Sequence, residues 1–188
     1  MQRHTLIVWI TSGRGRCVLG SLLFAIGLAV GSWHLGCIVC YDLEWQGTTD
    51  EELPEHYRCE ETPAPCPELR VIDFGRTCEG GETPYDPALG ACIVASLRAG
   101  EPGTHIIQEN CAPFEEVWTI HVFDDGDALW SFQKLGDFNY RIHETWRKLP
   151  EPEYFDACDA GTLESLLACI EGIAEESCAS GSPPCSKS

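Results

Sequence analysis

The sequence predicts an α+β domain: a small antiparallel β-meander packed by one helix, then a C-terminal helical pair, the whole stapled by disulfides. Three observations carry this. Apolar residues alternate around two glycine-containing turns between Val117 and Leu149. A capped helical stripe precedes them, and 12 cysteines are spread over 188 residues. Structural zinc sites repeat the C-x2-C knuckle. Here it occurs once, at Cys37 to Cys40, so the cysteines point to bridges in an oxidising compartment.

Residues 1–36 stand outside that fold. Arg3, Arg14 and Arg16 form an acid-free head, and Cys17 to Trp33 contains no charge. These are the first two regions of an export signal. The uncharged run is shorter than the roughly 20 residues a membrane-spanning helix needs. It is followed by Leu35-Gly36-Cys37, which resembles the lipidation site of bacterial lipoproteins. His34 and Leu35 depart from that pattern, which prefers Leu and then a small residue; Gly36 fits. The resemblance implies acylation at Cys37, attachment to the membrane through that lipid, and, with Ile38 following, delivery to the outer membrane of the cell envelope. An uncleaved anchor and a plain secretory signal are the alternatives. Cleavage before Cys37 leaves an odd number of cysteines, awkward for an exported protein. Lipid on Cys37 leaves ten for pairing: Cys40, Cys59, Cys66, Cys78, Cys92, Cys111, Cys158, Cys169, Cys178 and Cys185.

Beyond the signal, nine basic residues face 30 acids, a net charge of −21. That charge repels phosphate at every approach and excludes nucleic acid as a partner. It also opposes anionic membrane surfaces, leaving the lipid to hold the protein there. Residues 37–68 are acidic and carry "ETPAPCPE", whose prolines favour extended backbone. They are expected to form a lipid-anchored tether, with residues 69–188 as the folded domain.

Within that domain, Leu69 to Phe74 has the β-branched centre of a short strand. In "YDPALGACIVASLRAG", Asp86 suits the N-cap, Pro87 the first turn and Gly100 the C-terminus. Leu89, Cys92, Ile93 and Leu97 form one apolar stripe, and Cys92 on it would bridge helix to core. "THIIQEN" is the next strand. Asp125-Gly126 is a type I′ dipeptide that would set Val122 opposite Leu129 and His121 opposite Trp130. A second turn near Gly136 would set Trp130 opposite His143. Trp118, Ile120, Val122, Leu129, Tyr140, Ile142 and Trp146 then make the core face. Finally, "EPEYFDAC" gives two helical turns, and Thr162 caps a helix with a stripe from Leu163 to Ile173. Cys158 and Cys169 flank the break between them and form the expected local pair.

The order of "GACIVASLRAGEPG", the tryptophan-containing meander and "EYFDAC…LLACI" is similar to a group of uncharacterised Cys-rich bacterial lipoproteins. The resemblance spans roughly residues 88–172. It implies envelope location and an α+β domain, and it implies no catalytic residue.

No chemistry is expected. Cys37 to Cys40 lacks the helix N-terminus that activates a redox dithiol. Asp124, Asp125 and Asp127 lack the closing Glu of a calcium loop and fit a hairpin tip. No G-x-S-x-G elbow occurs, and "CEGGETP" has neither the Lys nor the helix of a phosphate loop. Neither enzyme, metal nor cofactor is expected; a hydrolase or redox enzyme ranks last. The candidate binding face is the sheet face opposite the core: Phe123, Trp130 and Phe132, with His121, Arg141 and His143. Its partner would be an envelope protein or a glycan. Against this stands the reading that residues 41–85 fold over that face. The alternative function is a secreted or periplasmic binding protein for a cation or small ligand.

Overall fold

The computed structural model describes residues 41–48, 53–60, 62–63, 66–73, 84–111, 114–136 and 139–187. The expected export signal, Cys37, Cys40 and Cys78 lie outside the described residues, as does the side chain of Cys111. The described chain belongs to one compact unit, Cys37–Ser188. Its elements are β1 (Asp42–Thr48), β2 (Tyr57–Arg58), β3 (Leu69–Asp73), α1 (Pro87–Ala99), β4 (Gly103–Cys111), β5 (Phe114–Val122), β6 (Asp127–Leu135), β7 (Asn139–Lys148), α2 (Pro152–Asp156), α3 (Leu163–Gly172) and β8 (Ser186–Lys187). Six strands make a mixed sheet in the order β1-β7-β6-β5-β4-β3, and β2 pairs with β8 in a second, small sheet. Only the β3–β4 pair is parallel in the larger sheet. The class is α+β.

The expected tether is corrected in its described part. Asp42–Thr48 pairs with β7 along its whole length, and Tyr57–Arg58 pairs with Ser186 and Lys187. The cause lies in the residues themselves. Leu43 and Trp45 alternate with Asp42, Glu44 and Gln46, the period of a half-buried strand, and disulfides at Cys59 and Cys66 pin the chain beyond β1. Three bridges are described: Cys59–Cys185, Cys66–Cys92 and Cys158–Cys169. Cys178 is also disulfide-bonded. Cys92 ties α1 to the segment before β3, and Cys185 holds the C-terminal tail.

The first hairpin turns differently from the I′ expectation. Gly126 N donates to Phe123 O at 3.0 Å, and Phe123 N donates to Asp127 O at 3.0 Å. The loop is therefore three residues, Asp124-Asp125-Gly126, with Gly126 at φ 77°. This is the turn-plus-left-handed-residue hairpin, next in frequency to the two-residue form. It sets Val122 opposite Ala128 and Ile120 opposite Trp130. One residue of slip exchanges the faces of a strand. The second hairpin sets Trp130 opposite Thr145 and Phe132 opposite His143, two residues from expectation, which preserves the faces. The expected core face is thus split. Trp118, Ile120 and Val122 lie on one side of the sheet, and Leu129, Tyr140, Ile142 and Trp146 lie on the other.

Helices cover the first side. Asp86 accepts from Ala88 N, and Gly100 closes α1 in the left-handed region. Thr162 and Ser165 form a reciprocal capping box at the start of α3. Ile93, Leu97, Leu166 and Ile170 pack with Ile107, Trp118, Ile120 and Trp130 in one cluster. Gly90 allows a close approach: a Cβ there would collide with the Tyr85 hydroxyl, which donates to Ala160 O.

The second side is covered by straps with little regular structure. Leu129, Trp146 and Ala179 form its core, packed by Tyr41, Tyr57, Cys59, Phe123 and Cys185. Thr104 N donates to Thr62 O, and Lys148 N to Ser177 O. Both sides of the sheet are therefore occupied.

Candidate functional site

The row expected as a binding face is divided between the two sides of the sheet. Phe132, Arg141 and His143 share the helix side with Trp130. Trp130, however, is only 3% exposed and belongs to the core. The His143 ring stands edge-to-face over it at 5.1 Å, and Phe132 packs on Trp118 at 5.1 Å. Phe123 and His121 face the strap side. Phe123 meets Trp146 at 5.4 Å, and His121 Nδ1 lies 3.0 Å from Thr104 Oγ1. The expected exposed aromatic row does not form, because the three-residue hairpin moves Trp130 and Phe132 onto the face of Ile120.

What remains on the surface is a charged margin. Arg141 pairs with Glu44 at 2.9 Å, Lys134 pairs with Glu116, and His143 Nε2 lies 3.2 Å from Asp42 Oδ1. The His143 hydrogen bond, partly opposed by burial, holds the Asp42 carboxyl below its ordinary value. Each cation here already has an acid, so the margin offers little net attraction to an anion. At the end of the sheet remote from Tyr41, Phe114 and Leu135 are 44% and 42% exposed. The Lys134 ammonium sits 4.7 Å from the Phe114 ring centre.

Two buried polar groups carry candidate chemistry. Ser96 Oγ lies 3.4 Å from His105 Nε2, but the two residues are 4% and 2% exposed between α1 and the sheet. Burial pushes the His105 pKa down to about 4. A neutral imidazole sealed from solvent has no route to a substrate. His105 Nδ1 and the indole N–H groups of Trp118 and Trp130 have no hydrogen-bond partner among the described residues.

On the strap side Glu144 is 2% exposed. Its Oε1 accepts from the Tyr41 hydroxyl at 2.6 Å and from Tyr57 N at 3.0 Å. Among the described residues it has no ion-pair partner. Burial, then the Glu144 hydrogen bond, push the Tyr41 hydroxyl well above its ordinary value. The Tyr41 and Tyr57 rings meet edge-to-face at 4.8 Å and 83°. The Lys187 ammonium lies 5.2 Å from the Tyr57 ring centre and 5.9 Å from that of Tyr41. Sequence reasoning missed this group, whose members are up to 146 positions apart. The one signal was that Cys59 and Cys185 each lie two residues from a member.

Among the described residues no group of three or more His, Cys, Asp or Glu could hold a metal. The hairpin acids are used locally: Asp125 Oδ1 accepts from Asp127 N, and buried Asp127 pairs with Lys148. No helix among the described residues is long and apolar enough to cross a membrane. An open depression of about 490 Å³ lies between β3 and the start of α1, with Arg70 and Tyr85 on its wall. No protein-family model, curated protein or solved structure matches the chain.

Proposed function

We propose that the chain is an exported lipoprotein, acylated at Cys37, whose domain is a non-catalytic interaction module of the bacterial cell envelope. The observation that carries the reading is the disulfide framework. Seven of the described cysteines are bridged, as suits an oxidising compartment, and an uncharged run behind a basic head precedes them. The burial of Ser96 and His105 favours binding over catalysis. The finer fold reading belongs with this proposal: β5–β7 as a meander packed by α1, with α2 and α3 as a C-terminal pair clasped by Cys158–Cys169.

The anchor would be short. Three residues lie between Cys37 and Tyr41, so extended chain spans at most about 14 Å from one to the other. Acyl chains on Cys37 would hold the Tyr41 end of the sheet close to the bilayer. Phe114 and Leu135, at the other end, would then face away and offer an envelope protein or glycan a small apolar contact. Intact-mass analysis of detergent-extracted membranes tests the reading. The expected species begins at Cys37 and carries acyl mass; an N-terminus elsewhere or an unmodified Cys37 overturns it.

A further inference from the structure

We infer that Tyr41, Tyr57 and Glu144 form a binding site for a small alkylammonium cation, and that Lys187 of the same chain occupies it as a built-in competitor. The inference does not depend on acylation of Cys37. Aromatic faces attract cations through their quadrupoles, and rings gathered around one cation recognise choline and methylated amines. Here two rings already flank an ammonium, at 5.2 and 5.9 Å from their centres.

The carboxylate bonded to both tyrosines gives the site its sign. Glu144 is buried, and two hydrogen bonds hold its Oε1: one from the Tyr41 hydroxyl, the other from the Tyr57 backbone. Those bonds hold the Tyr41 hydroxyl and the Tyr57 backbone on one carboxylate, and the edge-to-face contact sets the two rings against each other before any ligand arrives. A buried carboxylate with no ion-pair partner among the described residues is screened less than one in water and attracts a cation held near these tyrosines. A quaternary ammonium suits this arrangement better than a hydrated metal ion, because the lining is aromatic and a single carboxylate cannot replace a metal ion's shell of oxygen ligands.

Lys187 is delivered from the opposite strand. It is the direct cross-strand neighbour of Tyr57, and Cys185 is bonded to Cys59. Its own side chain is exposed, so its departure uncovers little apolar surface. The ligand chemistry is a trimethylammonium group, whether on free choline or on a choline lipid headgroup.

The test uses the full chain with its disulfides intact, titrated with choline at constant ionic strength by calorimetry and NMR. Lys187→Ala is expected to bind choline about two- to fivefold more tightly than the native chain, the gain from losing one competing exposed cation–π contact. The uncharged isostere 3,3-dimethylbutanol is expected not to bind. Adding Tyr57→Leu to Lys187→Ala should abolish binding, with native-like far-ultraviolet circular dichroism showing that the fold survives. Phosphatidylcholine vesicles against phosphatidylglycerol vesicles identify the source: selective co-sedimentation assigns the headgroup, and binding of free choline alone assigns the small molecule. Equal choline affinity in native and Lys187→Ala chains, equal binding of the isostere, or binding that survives Tyr57→Leu overturns the inference.

Discussion

The two sides of the sheet are closed by different means. On the helix side, α1 and α3 carry long apolar side chains into one cluster with Ile107, Trp118, Ile120 and Trp130. Buried hydrophobic area supplies the cohesion there, and three buried N–H or ring-nitrogen groups go without partners among the described residues. On the strap side the core is small: Leu129, Trp146 and Ala179 with part-buried neighbours. Its cover is held by directed bonds instead. Trp146 Nε1 donates to Ser180 O at 3.4 Å, Thr62 N donates to Thr104 Oγ1 at 3.1 Å, and Cys59 is bonded to Cys185. A segment without regular structure has no apolar stripe to offer, so covalent and polar links replace buried area.

The contrast breaks most sharply at Trp130. Trp130→Ala should destabilise the oxidised protein by about 3–5 kcal/mol, the usual cost of deleting a buried large aromatic. Urea unfolding followed by circular dichroism measures it; near-native stability would place Trp130 on an exposed face.

Removing the staple of the other side should cost less. Replacing Cys59 and Cys185 together by Ala is expected to lose about 2–4 kcal/mol, with a local signature. Hydrogen exchange at Tyr57 and Thr104 should rise while α1 stays protected. Uniform loss of protection would show that the two sides unfold as one.

Each side carries a histidine withdrawn from solvent, His105 buried and His121 half-buried, which gives a matched test by pH. Burial pushes the pKa values of His105 and His121 down from 6.5 to about 4. Between those values the unfolded chain binds more protons than the folded one, so stability falls as pH drops from about 6.5 to about 4. The loss should be on the order of 2–3 kcal/mol for His105, and smaller for the less buried His121. His105→Gln and His121→Gln should each remove their share of the acid slope, whatever their effect at neutral pH. An unchanged slope in both would show that neither ring is desolvated.

The smallest effect belongs to the hairpin that separates the two sides. Gly126→Ala meets no neighbouring atom but must adopt φ 77°. It should cost about 1 kcal/mol by thermal or urea unfolding. No cost would return the loop to a form without a left-handed residue at this position.

Much of the architecture was legible because it is local. Asp86 and Gly100 bound α1, Thr162 caps α3, and Cys158 and Cys169 pair across eleven positions. Capping chemistry and a 3.6-residue stripe need no knowledge of the rest of the chain. The strand β1 was hidden by its acids, though Leu43 and Trp45 keep the alternation. The candidate face failed on one turn. "DDG" supports a two-residue or a three-residue loop, and the sequence does not choose between them.

By itself, then, the sequence determined the class, the helices with their caps, the strands of the central hairpins and the oxidising chemistry of the cysteines, since each arises from nearest-neighbour physics. Only the tertiary structure decided which side each strand residue faces, because register is fixed by what packs above and below the sheet. It also brought Tyr41, Tyr57, Glu144 and Lys187 together, a meeting of distant residues that no spacing along the chain encodes.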